Sequence, residues 1–280
     1  PLMRQTHGSM ICPHCEKLIS VSEERCPFCG AWRPGLYGYT PVLQKWFGRF
    51  EFTHMVTVAC ATLYVISLLL QPSAIFGGGG GLFNILSPGG RALYQLGMTG
   101  GAAWQLHYWW TILTAIYLHG SLLHIFFNLM VTRQVAPGVT SVFGPARTFV
   151  IWTVAGAVGF LVSNLINPHT PSVGASGSVF GLFAALIVYG RRVRHSMLTQ
   201  QIWQWVIINF VIGFFLSNVN VVAHFGGFAG GWVAAEAMRL DQERRESLAV
   251  QLIAGALLVA TMIGFALSFY KVTAMLGAGG

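Results

Sequence analysis

Residues 174–192 read GASGSVFGLFAALIVYGRR, and residues 223–239 read AHFGGFAGGWVAAEAMR. Each stretch opens on small residues and one polar group, Ser176 or His224, and then runs apolar toward arginine. Ser176 stands 15 residues before Arg191 and His224 stands 15 residues before Arg239. At the helical rise that is roughly 22 Å in both cases. If the two basic ends sit at one membrane face, the hydroxyl and the imidazole lie at one depth. A polar group at that depth is costly unless it meets a partner or water. The pair of stretches therefore reads as two membrane helices that bring Ser176 and His224 together.

The rest of the chain agrees with an all-α polytopic membrane protein. Of 280 residues, 54% are hydrophobic and 9% are charged, too apolar a balance for a soluble domain of this size. No acidic residue lies between Phe52 and Ala235. Seven spans are expected, near Val56–Leu70, Ile112–Val131, Thr148–Ile166, Ser176–Gly190, Trp203–Leu216, Val221–Met238 and Ala249–Phe269. Several fall short of the roughly 20 residues that cross a bilayer, so tilted, broken or partly submerged helices are expected. Fourteen of the 16 basic residues fall in loops that alternate to one face, leaving Arg91 and Lys271 on the other. That bias puts the N-terminus in the cytosol and the C-terminus outside. The net charge of +8 thus reflects topology and gives no reason to expect nucleic acid. No cleavable signal peptide is expected, because the start of the chain lacks an apolar run.

The expected organisation is a cytosolic zinc ribbon over 10–34, a linker over 35–52, and a six-span core over 53–238. A cytosolic loop with the seventh span (239–270) and a short external tail (271–280) follow. In the ribbon, Cys12-Pro13-His14-Cys15 and Cys26-Pro27-Phe28-Cys29 form two knuckles. Their spacing directs four thiolates onto one tetrahedral ion. Two disulfides are the competing reading, which a cytosolic location disfavours. Four sulfur ligands close the coordination sphere, so the ion is structural Zn2+ and His14 is not a ligand. Cys60, in the first span, reads as a small apolar residue.

The polar residues of the core divide into three groups. Gly174 and Gly177 flank Ser176, and the first amides of the following helix have no internal partner, so they can face an oxyanion. Read alone, Ser176 could equally cap its helix. His224 precedes Gly227 and Gly231, with Gly226 and Gly230 at the same spacing; such faces let helices approach closely. A lone membrane histidine could instead relay protons or sit satisfied in a core. In the second span, His124 and Asn128 share a helix face, and both can donate hydrogen bonds to an oxyanion or clasp a neighbouring helix. Arg133 follows so closely that either the helix continues past it or the arginine snorkels. The only acid near His224 in sequence, Glu236, lies 12 residues along the helix, roughly 18 Å away. A serine hydrolase built here must work with a Ser–His dyad. The segment Gln71–Tyr108 holds a glycine run, Gly77–Gly81, and ends in an aromatic cluster suited to the membrane interface.

His119, the His124/Asn128 pair, Gly174-Ala175-Ser176-Gly177 and Ala223-His224 with Gly227 and Gly231 together resemble the rhomboid intramembrane proteases, over about Trp104 to Met238. The resemblance implies a six-helix bundle plus one extra C-terminal span (6+1) and a dyad of Ser176 and His224. It implies an oxyanion hole from the His124 and Asn128 side chains and the Ser176 amide. Transmembrane segments of other membrane proteins, cut near the outer face, would be the substrates. By resemblance the home is a bacterial plasma membrane. Two positions depart from the family pattern: Trp110-Thr111 stands where Trp-Arg is common, and Thr140 where an acid is common. A rhomboid-like adaptor that binds transmembrane clients without cutting them is the alternative. The ribbon could recruit a protein partner.

Overall fold

The computed structural model describes residues 4–12, 15, 17–41, 51–72, 86–215, 219–238 and 248–278. His14, Lys45, Arg49, the run Gly77–Gly81, Leu216, and Arg239, Arg244 and Arg245 of the last basic loop lie outside the described residues. Two compact units are present, Pro1–Glu51 and Phe52–Gly280.

In the first unit, strands β1 (Ser9–Ile11) and β2 (Leu18–Ser20) pair antiparallel with Met10 opposite Ile19. Alternation sends Met10 and Ile19 inward, where they form a small core with Val21, Cys12 and Cys26. A hairpin this short is marginal by itself. The cysteine cluster described below is what can fix it.

Among the described residues, the named elements of the second unit are all helices. Helix α1 covers Phe52–Leu70, and two short helices, α2 (Gly90–Gln95) and α3 (Gly101–Gln105), follow. Next come α4 (Thr111–Thr114), continued by one 3-10 turn over Ala115–Tyr117, and α5 (Leu122–Phe143). The remaining helices are α6 (Pro145–Ile166), α7 (Ser176–Arg192), α8 (Ser196–Phe215), α9 (Val221–Ala237) and α10 (Leu248–Ala278). Four of these, α1, α6, α8 and α10, are long and apolar enough to cross a membrane, and the bent pair α4/α5 makes a fifth. At 17 residues each, α7 and α9 span only about 25 Å.

The second expected span is corrected. Instead of one helix over Ile112–Val131, the chain turns by 89° between Thr111–Tyr117 and Leu122–Phe143. His119 lies in that turn, not on the helix that carries His124. Ser121 caps the new helix by accepting from the His124 N–H at 3.2 Å, the expected use of serine at an N-cap. Beyond Asn128 the helix runs on past Arg133 and through Pro137 to Phe143, as the first of the two readings of Arg133 expects. Gly144, at φ 86°, ends it, and Pro145 opens α6 at a position where its missing N–H costs nothing. Helix α10, the seventh expected span, likewise exceeds its expected end at Phe269 and continues to Ala278, into the residues expected as a tail.

Helix α9 lies between α6 and α7 and packs closely with both. A Cβ on Gly227 would fall within the backbone of Gly177, and one on Gly231 within that of Gly181. The second glycine pair serves the other side: a Cβ on Gly226 would come 3.0 Å from Gly159 Cα, and one on Gly230 2.7 Å from Val158 Cβ. One helix thus presents two small-residue faces, one to each neighbour. Helix α10 packs against α2, α4 and α6, with Trp110 Nε1 donating to Ser268 Oγ at 3.0 Å.

Candidate active site and metal centre

Ser176 is the first residue of α7 and His224 lies in the first turn of α9. Because α7 and α9 meet glycine to glycine, their ends come within side-chain reach. His224 Nε2 and Ser176 Oγ are 2.8 Å apart. The serine is half-buried and the histidine buried. Nε2 facing a hydroxyl can accept its proton.

Among the described residues no carboxylate holds the imidazole. Its Nδ1 has no hydrogen-bond partner among the described residues. Its plane stacks on Phe180, with centroids 4.6 Å apart and 26° between planes, and Phe210 of α8 stands edge-on at 6.3 Å. Phe180 is one turn past Ser176 on the same face, so α7 supplies both the hydroxyl and the surface that orients the ring. The spacing Ser176 to Phe180 was a readable signal of this contact and was not used. Glu236 forms an ion pair with Arg192 at 2.7 Å, joining the far ends of α7 and α9.

Gly174 is at φ 130°, a conformation other residues rarely adopt. Its N–H donates to Ala115 O at 2.9 Å, and a Cβ there would come 2.7 Å from His124 Nε2. The His124 ring therefore rests against the backbone just before Ser176. Gly120 N–H donates to His124 Nδ1 at 3.3 Å. An accepting Nδ1 assigns the proton of a neutral ring to Nε2, so the atom beside the serine loop is a donor. His119 is fully buried and stands edge-on to His124, at 5.1 Å between centroids. Asn128 is also buried, but its Nδ2 donates to His124 O at 2.9 Å. One of its two N–H groups is spent inside α5. The structure thus brings Ser176, His224 and His124 to one place, with Asn128 one turn behind.

Asn220 was missed by sequence reasoning. Its Oδ1 accepts from the Ala223 N–H at 3.0 Å, while Nδ2 donates to Ser163 Oγ at 2.7 Å and Ser172 Oγ at 2.8 Å. One side chain caps α9 and ties it to α6 and to the loop leading to Ser176. The signal was present: an Asn directly before an apolar helical run is an N-cap pattern. Of the departing positions, Thr111 is buried and donates to Tyr108 O at 2.7 Å, a fit that a longer side chain would disrupt.

The four ribbon cysteines are free thiols whose sulfurs all lie within 4.8 Å of one another. Cys12 and Cys29 are 3.9 Å apart, and Cys15 and Cys26 3.6 Å. Four sulfurs at about 2.3 Å from one ion stand about 3.8 Å from each other, so the cluster fits a tetrahedral site with four thiolate ligands. Desolvation raises the Cys26 thiol, but hydrogen bonds from the Phe28 and Cys29 backbone and from neighbouring thiols outweigh it and bring it down to about 6. A thiolate is the form a metal binds.

Residues 106–241 match the Rhomboid domain. Rhomboid protease GluP of Bacillus subtilis is 34% identical over 160 residues, 56% of this chain and 31% of GluP. Rhomboid-like protease 3 of Toxoplasma gondii is 28% identical over 182 residues, 63% of this chain and 65% of that protein. Inactive RHOMBOID-like protein 8 of Arabidopsis thaliana is 30% identical over 156 residues, 51% of this chain and 42% of that protein. The chain spans less than two thirds of the length of each of these relatives.

Proposed function

We propose that this chain, which matches the Rhomboid domain over residues 106–241 and is related to the rhomboid proteases, is an intramembrane serine endopeptidase. The observation that carries this reading is the 2.8 Å contact between Ser176 Oγ and His224 Nε2 at the meeting ends of two apolar helices. His224 takes the Ser176 proton as Oγ attacks a peptide carbonyl. The oxyanion is met by the Ser176 backbone N–H, unpartnered at a helix start, and by His124 Nε2–H, with Asn128 as a third donor. His224 then delivers its proton to the leaving amine. In the second half it activates water to release the acyl group from Ser176. The substrates are transmembrane segments of other membrane proteins, cut near the outer face. The basic loops face the cytosol, with the N-terminus inside and the C-terminus outside, in a bacterial plasma membrane.

A related protein named as inactive keeps one other reading in view, since a fold does not by itself fix an activity. In that reading the chain binds transmembrane clients without cutting them. A serine-directed fluorophosphonate, applied to the full chain in proteoliposomes with a model transmembrane substrate, separates the two. Labelling of Ser176 together with cleavage supports the protease. A folded, unlabelled protein that still binds the substrate supports the adaptor.

The donors should contribute unequally. His124→Ala is expected to lower kcat by about 10²–10³-fold, the usual effect of losing one oxyanion donor. Asn128→Ala should lower it less, because one of its N–H groups is already engaged within α5. Steady-state cleavage in proteoliposomes measures both; an intact rate in His124→Ala would remove His124 from the oxyanion site.

Cys12, Cys15, Cys26 and Cys29 hold one structural Zn2+ in this reading, with no open coordination position and no part in catalysis. Metal analysis of the purified chain should find about one zinc per chain. Cys12→Ser/Cys15→Ser should lose it. If the ribbon recruits a protein partner, that variant should lose cleavage of a natural client and keep cleavage of a generic one. Equal loss of both would mean misfolding alone, and no change in either would remove the recruiting role.

A further inference from the structure

The corner between α7 and α8 holds a hollow lined by cationic side chains. Arg194, at φ 55°, reverses the chain there, and His195 N–H donates back to Gly190 O at 2.8 Å. The reversal leaves an open hollow of 640 Å³ lined by Arg191, Arg194, Ser196, Thr199, Gln200 and Trp203. That lies within the range of about 300–1,000 Å³ typical of small-molecule sites. Both arginines are exposed, and neither has a carboxylate within 4.0 Å among the described residues. The nearby acid Glu236 is engaged by Arg192, which also donates to the carbonyls of Glu236 and Met238. Arg191 lies over the Trp232 ring, 5.3 Å from its centroid. Stacking holds a guanidinium by its face and leaves its N–H edge free to bind phosphate. Ser196 and Gln200 add exposed polar groups beside this pair of cations.

The hollow adjoins an apolar helix face. Helix α8 is one of the candidate spans, and the hollow sits at its first turns. From Trp203, which lines the hollow, the residues Ile207, Val211 and Phe214 continue along one face of α8. All four are exposed, at 38%, 57%, 50% and 76%. A cationic hollow opening onto an apolar stripe matches a molecule with a charged head and an acyl tail.

We propose that this corner is a binding site for an anionic phospholipid, with the headgroup phosphate held by Arg191 and Arg194 and the acyl chain lying along Trp203, Ile207, Val211 and Phe214. The inference rests on α8 spanning a membrane, and it is independent of peptidase activity. Clusters of cations at the membrane surface gain roughly fivefold in affinity per arginine from anionic lipid.

The test is native mass spectrometry of the delipidated full chain, titrated with dioctanoyl phosphatidylglycerol, with dioctanoyl phosphatidylcholine as the zwitterionic control. Arg194→Gln should weaken phosphatidylglycerol about fivefold, and Arg191→Gln/Arg194→Gln about 25-fold. Arg133→Gln, an exposed arginine elsewhere in the core, should change nothing. Gln200→Glu keeps both arginines and sets a carboxylate in the hollow, so it too should weaken binding. It decides the matter if the double variant does not fold. Equal losses from Arg133→Gln, or phosphatidylcholine bound as tightly, would overturn the site. Displacement of the lipid by excess inorganic phosphate would make it a free-phosphate site and overturn the lipid assignment.

Discussion

Ser176→Ala is expected to lower cleavage of a transmembrane substrate by about 10⁴-fold or more, the scale of removing a catalytic nucleophile. Stability should hardly change. The variant loses one hydrogen bond to His224, about 1 kcal/mol, and the α7–α9 contact through Gly177 and Gly227 is untouched. His224→Ala should cost a similar factor, because either residue without the other cannot move the proton. The double variant should then be no slower than either single one, since the two act as a unit. The measurement is single-turnover cleavage in proteoliposomes, with thermal unfolding run beside it. Cleavage by Ser176→Ala within tenfold of wild type would sink the dyad and return the chain to the client-binding reading.

That prediction depends on two residues 48 positions apart in sequence, and their meeting was legible for a simple reason. A helix has a fixed rise, and in the sequence an arginine follows each polar group by 15 residues, so counting sets Ser176 and His224 level when the two helices run side by side. The ribbon was legible on similar grounds, because two Cys-x-x-Cys knuckles have few other geometries open to them. The bend before α5 was not legible. The 97–117 segment is fastened to the loop before Ser176 through the Thr99–Ser172 bridge, and to α6 through the Asn164 Nδ2 bond to Thr99 Oγ1 at 2.8 Å. Those contacts join residues far apart in sequence, and hydrophobic periodicity carries no trace of them. The same limit hid Asn220. Its capping role is local and could be read, but its bonds to Ser163 and Ser172 exist only once α6, α9 and the serine loop are assembled. The threonine at 111 becomes intelligible in the same way, since its hydroxyl also lies 3.0 Å from Thr99 Oγ1 in a buried contact that only the fold reveals.

The glycine contacts yield the second large effect. Gly227→Val is expected to lower activity by at least about 10²-fold, the loss that roughly 1 Å of misplacement causes at a reacting centre. It should also lower stability by about 1–3 kcal/mol or more, as overpacking does. The reason lies in what the new side chain would meet. At Gly227 the obstacle is the backbone of Gly177, which cannot rotate away, and the residue before Gly177 is Ser176. Any relief must separate α7 from α9 and lengthen the 2.8 Å contact between Oγ and Nε2. Gly230→Ala offers the contrast, because its obstacle is the Val158 side chain on α6. There the strain falls on the α6–α9 face, so stability should drop while most of the activity survives. Gly255→Ala, with open space around it, should leave both unchanged or raise stability slightly through the better helix propensity of alanine. Cleavage rates and thermal unfolding of the three variants in one lipid composition give the comparison. If Gly227→Val and Gly230→Ala lose activity in the same proportion to stability, close approach of α7 and α9 serves folding alone and does not set the dyad distance.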